Sequence, residues 1–208
     1  VKRRKILLVP DQHKRGKPPV SILGGIIPIA GFTAGLLLHI AMGNILVLML
    51  AALCSVLVVS LIGLLDDIID VPASFRVIIP VFAAAPLAAV KAGVTVMHIP
   101  LLGSVDFGIF YQLIAIPIGV TGAANAVNMV AGLNGLETGM GSLMALALLG
   151  ISLKIGTEIG AVLSAILLGS CLAFLLFNWT PAKILPGNSG SYFIGCAIAV
   201  ICILGNME

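Results

Sequence analysis

Polar groups interrupt one of the longest apolar regions of the chain between Asn125 and Glu137. Asn128 and Asn134 offer side-chain amides, and Gly132 lets the backbone approach a ligand closely. Glu137 adds a negative charge, which is costly inside a membrane helix and is rarely found there without a function. Because Asn and Gly are also ordinary turn residues, the stretch taken alone is equally typical of a polar turn between helices. The other polar segments of the chain favour a ligand site.

A second group of polar residues is the acidic cluster Asp66, Asp67 and Asp70, which ends an apolar run. Carboxylates this close together repel one another, so such clusters usually meet Mg²⁺ or cationic groups. Mg²⁺ prefers oxygen ligands and rarely needs a full protein cage, because waters and substrate phosphates complete its shell. Carboxylates from one loop and amides from two others fit that pattern. A solvated helix end is the alternative interpretation.

A third polar segment runs from Pro186 to Ser191 and enters an apolar run through Gly and Ser residues. Backbone N–H groups at a helix N-terminus suit a phosphate, although the same residues form generic turns. Lys14, Lys17 and Arg76 would attract an anionic ligand. For the two lysines, anchoring of a membrane protein by basic residues is at least as good an explanation.

Composition defines the class of protein that must hold these groups. The 208 residues are 60% hydrophobic and only 9% charged, whereas soluble domains carry about 25% charged residues. The sequence therefore predicts a single integral-membrane domain over residues 1–208, folded as an all-α polytopic helix bundle. The four cysteines fall in apolar segments without a C-x-x-C pair or a neighbouring histidine, so neither a disulfide framework nor a zinc site is indicated.

Seven apolar runs predict about seven membrane spans, of which the third is short. They cover residues 21–40, 45–65, 77–90, 107–124, 139–153, 159–177 and 191–204. Residues 93–107 alternate and carry Gly and Pro, which predicts a small β-hairpin on the non-cytoplasmic surface. The chain opens on Val1 rather than Met and stops just after an apolar run. We therefore expect a fragment of a longer bundle, without its first and last helices.

Alternating the spans across the membrane puts every polar segment that could do chemistry on one face. That face receives the basic N-terminal segment and the loops around Asp66, Asn128 and Asn188. Nine of the eleven basic residues lie on it, against Lys91 and Lys154 on the other face. The excess of positive charge predicts that this face is cytoplasmic. The convergence of four polar segments predicts one composite site.

The motifs in these segments occur in the order seen in a known family. They are Leu64-Leu-Asp-Asp67, Asn125-x-x-Asn-x-x-x-Gly-x-Asn-Gly-Leu-Glu137, Phe177-Asn-Trp-x-Pro-Ala-Lys183 and Pro186-Gly-Asn-Ser-Gly-Ser191. Because its motifs occur in this order, the chain resembles the polyprenyl-phosphate N-acetylhexosamine-1-phosphate transferases. The resemblance covers essentially all 208 residues. The Ala-Gly-Leu-Asn-Gly-Leu-Glu wording is similar to that of the dolichyl-phosphate branch found in archaea and eukaryotes.

The resemblance implies an enzyme that transfers GlcNAc-1-phosphate from UDP-GlcNAc to a polyprenyl (dolichyl-type) phosphate and releases UMP. It implies Mg²⁺ as the cofactor, with Mn²⁺ as the alternative ion, and a bilayer as the setting; no nucleic-acid partner is expected, and a homodimer stays open. The implied residue roles are, for catalysis, Asp66 and Asp67; for the metal, Asn128 and Asn188; for the nucleotide sugar, Asn125, Gly132, Asn134, Glu137 and Gly187; and for phosphate, Arg76, Lys14 and Lys17.

Two residues depart from the family pattern, because Asn188 stands where the family has an Asp metal ligand and Arg76 where it usually has a Lys. The expected mechanism is direct attack by the lipid phosphate, with Asp66 or Asp67 as the base. Three other interpretations stay open: an inactive family member that binds nucleotide sugar, an intramembrane prenyltransferase, and a transporter. The prenyltransferase predicts a second Asp-rich motif, which residues 125–137 lack, and the transporter predicts a site at the membrane midplane.

Overall fold

Six helices in the described part of the chain are long and apolar enough to cross a membrane. The computed structural model describes residues 8–10, 16, 19–43, 46–69, 71–99 and 103–207. In chain order the helices are α1 (Ile26–Ala41), α2 (Leu46–Ile69), α3 (Ala73–Ala83), α4 (Ala85–Ala89), α5 (Ile116–Val130), α6 (Leu136–Ile155), α7 (Glu158–Asn178) and α8 (Gly187–Leu204). The six long helices are α1, α2 and α5 to α8. The predicted polytopic helix bundle is confirmed.

The third predicted span is present as a shorter, divided helix. Its apolar helical stretch, Ser74–Ala89, is too short to count among the spanning helices, and α3 gives way to α4 at Ala84. Pro80 lies inside α3, and a second proline lies in the first turn of α4. Proline has no N–H to donate and its ring crowds the preceding turn, so two prolines in one helix explain the break.

Two antiparallel strand pairs accompany the helices. The strands β3 (Val96–Ile99) and β4 (Gly103–Asp106) form the predicted hairpin between α4 and α5. The strands β1 (Leu8–Pro10) and β2 (Pro19–Ser21) pair ahead of α1. This first pair was not predicted, because its residues read only as part of a polar basic segment.

Helix α8 is the central helix of the bundle and contacts α1, α2, α5, α6 and α7. In α8, 78% of the membrane window is buried, compared with 28% in α5. Small residues allow this enclosure, as in other membrane bundles: a Cβ built on Gly195 would lie 2.6 Å from the Ala124 Cα. Phe193 packs edge-to-face on Phe32 with ring centroids 5.5 Å apart. The enclosed α8 therefore presents its N-terminus where several other helices begin or end.

The outer surface of the bundle is apolar. Phe82 is 72% exposed, Leu143 is 69% exposed and Leu176 is 78% exposed. A soluble protein rarely leaves large apolar patches open, whereas a bilayer covers them. Together with the six spanning helices, this surface identifies an integral membrane protein.

Candidate active site

A cavity of about 550 Å³ opens where α2 and α5 end and where α6 and α8 begin. Its polar lining residues are Asp67, Asn128, Asn134, Glu137 and Asn188. Its remaining lining comes from β1, the segment before α1 and the segments before α6 and α8: Val9, Pro10, Ile22, Ala131, Gly132, Leu133, Leu185 and Gly187. The structure thus brings the three polar segments of the sequence together at one end of the bundle.

The carboxylate of Asp67 caps the N-terminus of α8. Its Oδ1 accepts the backbone N–H of Asn188 at 2.8 Å, and its Oδ2 accepts the backbone N–H of Ser189 at 3.0 Å. The first N–H groups of a helix have no partner within the helix, and the helix dipole favours negative charge there. Asp67 therefore gains two hydrogen bonds and still lines the cavity, where a carboxylate oxygen has further lone pairs for a ligand.

Its neighbour Asp66 is turned away from the cavity. Asp66 Oδ1 accepts the Val71 N–H at 2.8 Å, and Oδ2 accepts from Asn188 Nδ2 at 2.8 Å and from Arg76 at 3.1 Å. Its side chain is only 1% exposed. The two adjacent aspartates are thus unequal: Asp67 faces the cavity, and Asp66 is held by three donors behind it.

Close backbone approach fixes the N-terminus of α8. The N–H groups of Gly24 and Gly25 donate to the carbonyls of Leu185 and Pro186, both at 2.9 Å. On the other side, a Cβ built on Gly63 of α2 would lie 2.6 Å from the Asn188 carbonyl oxygen. Glycine at 24, 25 and 63 therefore lets the first turn of α8 lie directly against α2 and the segment before α1.

Two asparagines of α5 lie at different depths. Asn128 lines the cavity, and its Oδ1 accepts the Ser191 hydroxyl at 2.6 Å. Asn125 lies one turn deeper: its Nδ2 donates to the Thr121 carbonyl at 2.9 Å, and its Oδ1 accepts the Tyr192 hydroxyl at 3.2 Å. The prediction of a polar loop was wrong here, because α5 continues to Val130. Asn125 bonds to α8 and to the previous turn, and Asn128 bonds to α8, so both side chains have partners while they lie in a helix.

The rest of the predicted stretch turns from α5 into α6. Gly132 and Gly135 adopt positive φ angles of 142° and 79°, which glycine tolerates best. Gly135 begins α6, so Glu137 falls in the first turn of that helix, where the dipole favours a negative charge. Glu137 is 5% exposed, and its Oε2 has no hydrogen-bond partner among the described residues.

Of the predicted phosphate contacts, the described part of the chain includes Arg76, which is not brought to the cavity. Arg76 pairs with Asp66, its side chain is 31% exposed, and it is not among the residues that line the cavity. Lys14 and Lys17 lie outside the described residues, as does Asp70 of the acidic cluster. Gly187 is placed at the cavity, with a φ of 64°.

The donor set of the cavity suits a divalent cation. Two carboxylates and three amides line it, and its described lining includes no Lys, Arg or His. Mg²⁺ takes oxygen ligands of these types and completes its shell with water and phosphate oxygens. A cavity with two acidic groups would also repel a diphosphate unless a cation accompanied it. The residues present therefore fit Mg²⁺, with Asp67, Asn128 and Asn188 as the side chains that would hold it.

Ser191 and Tyr192 are the supporting residues that sequence reasoning missed. Both lie in the first turns of α8 and are buried. Ser191 follows Asn188 by three residues, which places the two on one face of a helix. That spacing could have indicated Ser191, whereas no sequence signal pairs Tyr192 with Asn125.

Comparison with known proteins shows the family. The model of a family described as "Glycosyl transferase family 4" matches residues 49–206. A Saccharolobus solfataricus protein, provisionally named UDP-N-acetylglucosamine–dolichyl-phosphate N-acetylglucosaminephosphotransferase, is 43% identical over 203 residues, which cover 95% of this chain and 62% of that protein. The Dictyostelium discoideum protein named for the same activity is 29% identical over 187 residues, 74% of this chain and 46% of that protein.

A bacterial relative has a different named activity. The phospho-N-acetylmuramoyl-pentapeptide-transferase of Halalkalibacterium halodurans is 41% identical over 105 residues, which cover 50% of this chain and 32% of that protein. The chain spans 62% of the length of the two archaeal relatives. Because the family model matches about three quarters of the residues, the chain belongs to glycosyl transferase family 4.

Proposed function

We propose that this chain forms the catalytic part of an enzyme that transfers GlcNAc-1-phosphate from UDP-GlcNAc to a polyprenyl phosphate of the dolichyl type, with release of UMP. The observation that carries the proposal is the cavity itself, where Asp67, Asn128 and Asn188 converge at one end of a membrane bundle. The names of the archaeal and eukaryotic relatives support UDP-GlcNAc and dolichyl phosphate as the substrates.

The position of the cavity suits a reaction between a soluble and a membrane-bound substrate. It lies where spanning helices end, so a nucleotide sugar can enter from water while the lipid acceptor stays in the bilayer. The described basic residues favour the cytoplasm: Arg76 and Lys183 belong to segments at the cavity end, and Lys91 and Lys154 lie at the other end. The sequence has seven further basic residues ahead of residue 18, in the segment that the alternation of spans predicts to face the cytoplasm.

The proposed reaction is a single displacement at phosphorus. An oxygen of the polyprenyl phosphate attacks the phosphorus that bears the sugar. A new P–O bond forms as the bond to the UMP oxygen breaks, and UMP leaves with the electron pair. Bound Mg²⁺ would supply positive charge that offsets the phosphates in an acidic cavity.

The two aspartates take different parts in this proposal. Asp67 faces the cavity, so it is the carboxylate that can contact the reactants and accept the proton of a protonated lipid phosphate. The Asp66 carboxylate accepts hydrogen bonds from three donors and does not line the cavity, so we assign Asp66 a positioning role. Of the two bases that the sequence left open, the geometry favours Asp67.

UMP release from UDP-GlcNAc tests the proposal, using the purified chain with a polyprenyl phosphate, in Mg²⁺ and in EDTA. We expect release that requires both the lipid and Mg²⁺, and that falls by about 10³-fold or more in Asp67→Asn, as for a lost catalytic group. Asp106→Asn is the matched control, because Asp106 is exposed on the hairpin at the opposite end. Lipid-independent release, or full activity of Asp67→Asn, would contradict the proposal.

A further inference from the structure

One residue of α8 contacts both aspartates of the acidic pair. The backbone N–H of Asn188 donates to Asp67 Oδ1, and its side-chain Nδ2 donates to Asp66 Oδ2, each over 2.8 Å. Asp66 and Asp67 are adjacent and have only 5% and 9% of their surface exposed. Two buried carboxylates side by side repel one another, and each needs donors rather than further acceptors.

For these two aspartates, the charge of the side chain at position 188 therefore matters more than whether that side chain has an oxygen that could bind a metal ion. An aspartate there would replace the Nδ2–H donor by a carboxylate oxygen at hydrogen-bond distance from Asp66 Oδ2. The only cation bound to that oxygen in the described structure is Arg76, at 3.1 Å. One partly exposed arginine would then face two carboxylates in contact, in addition to Asp67.

The backbone at residue 188 has no room to move away from that contact. The Gly63 backbone lies against the Asn188 carbonyl, and Gly25 packs on the Gly190 backbone. The Leu185 N–H also donates to the Ser21 carbonyl at 2.9 Å, which fastens the preceding loop. A side chain at 188 must therefore suit the aspartates in place, because the backbone that carries it is fixed on two sides.

We propose that Asn188 is the positioning residue of the acidic pair, and that its neutral amide is required to hold Asp66 and Asp67 together in this chain. The asparagine at this position thus has a structural role that an aspartate could not fill, in addition to the Mg²⁺ contact that its Oδ1 could make. Its side-chain donor holds Asp66, and its backbone donor aims Asp67 at the cavity. The consequence for catalysis rests on the proposed function, whereas the consequence for stability does not.

The test compares thermal unfolding of Asn188→Asp, Asn188→Ala and the parent chain in detergent, in EDTA and in Mg²⁺, without substrates. In EDTA we expect Asn188→Asp to melt lower than the parent by roughly 10 °C, as for an uncompensated buried charge. Asn188→Ala should melt lower by a smaller margin, because it loses a donor without adding a charge. Mg²⁺ should raise the melting temperature of Asn188→Asp by more than that of the parent or of Asn188→Ala.

Exchanging the side-chain types of residues 66 and 188 distinguishes the proposed positioning role from an effect of side-chain packing. In the double variant Asp66→Asn with Asn188→Asp, the carboxylate and the amide exchange places, so one donor again meets one acceptor and the number of charges is restored. Arg76 then faces an amide at position 66 instead of a carboxylate. We therefore expect the double variant to recover part of the stability lost in Asn188→Asp, and to fold even if that single variant does not. Asn206→Asp, the same change at the exposed far end of α8, is the control and should melt within about 2 °C of the parent.

Two outcomes would overturn the inference: an Asn188→Asp chain as stable as the parent in EDTA, or a double variant no more stable than a folded Asn188→Asp. Neither measurement depends on turnover, so a chain that fails to release UMP could still confirm the positioning role. Conversely, an active chain whose Asn188→Asp variant is equally stable would keep the proposed function and lose this inference.

Discussion

The Ser191 hydroxyl donates to Asn128 Oδ1 over 2.6 Å, which ties the cavity end of α5 to the first turn of α8. Ser191 is fully buried, and its hydroxyl helps to orient the Asn128 amide. If Asn128 contacts the cation or the phosphates, then its orientation depends on a residue that never reaches them.

We therefore expect Ser191→Ala to lower the rate of UMP release by roughly tenfold, the equivalent of about 1.4 kcal/mol for one hydrogen bond. The effect should appear in kcat and in the Mg²⁺ concentration required, with a smaller change in melting temperature. Ser170→Ala on α7 is a matched control, since the Ser170 hydroxyl donates to the Ile166 carbonyl of its own helix at 2.8 Å and does not line the cavity. Equal losses in the two variants would argue against a specific role for Ser191.

Asn125 is expected to support the site without contacting the nucleotide sugar. Its amide is taken up by the Thr121 carbonyl and the Tyr192 hydroxyl, and it does not line the cavity. Tyr192→Phe removes one of these bonds, so we predict a loss of about 1 kcal/mol in the free energy of unfolding. The KM for UDP-GlcNAc should stay within about twofold of the parent, because no substrate contact is removed. A KM that rises tenfold or more would instead make Asn125 part of the binding site, as the family resemblance implied.

Arg76 is expected to stabilise Asp66 rather than to bind substrate phosphate. The pair is joined over 3.1 Å, with Asp66 buried and Arg76 partly exposed. Replacing Arg76 by Ala should therefore cost about 1 kcal/mol of stability, after allowance for screening by solvent. Arg76→Lys should recover part of it, since the charge is kept and the geometry changes. A large rise in KM for either substrate, with unchanged stability, would restore the phosphate-binding interpretation.

The meeting of the polar segments at one end of the bundle could be predicted from the sequence, because these segments alternate with apolar spans in a regular order. Asp67, Asn128 and Asn188 each follow or precede a predicted span, and alternation alone places them at one end. Other features depend on contacts between distant segments. Asn128, in the continued part of α5, is bonded by Ser191, 63 residues later, and no local pattern records such a bond.

The inequality of the two aspartates could not be predicted for the same reason. Asp66 and Asp67 are adjacent residues of one type, and their hydrogen-bond partners differ because α8 and Arg76 approach from particular directions. The short third helix was within reach of sequence reasoning, since Pro80 and Pro86 are visible in it. The sequence nevertheless predicts a span there, because the segment is apolar in composition.

The fit between Asp67 and the start of α8 gives the last prediction, at Gly187. This residue has a φ of 64°, and a Cβ built on it would lie 2.7 Å from Asp67 Oδ2 and collide with the Ile22 carbonyl. Alanine at 187 is therefore strained in its backbone and displaces the carboxylate that faces the cavity. We expect Gly187→Ala to lower the free energy of unfolding by roughly 1–3 kcal/mol. The rate of UMP release should fall by more than the loss of folded protein explains.

Gly169→Ala is the control for that variant, because a Cβ at Gly169 on α7 meets no atom within 4 Å. In a helix interior alanine is favoured over glycine by about 1 kcal/mol, so this change should leave stability equal or higher. The two variants add the same methyl group, one into open space and one against Asp67. If both unfold at the parent temperature and release UMP at the parent rate, then α8 does not hold Asp67 as described. If only Gly187→Ala loses activity while remaining folded, the placement of the Asp67 carboxylate by α8 limits the reaction.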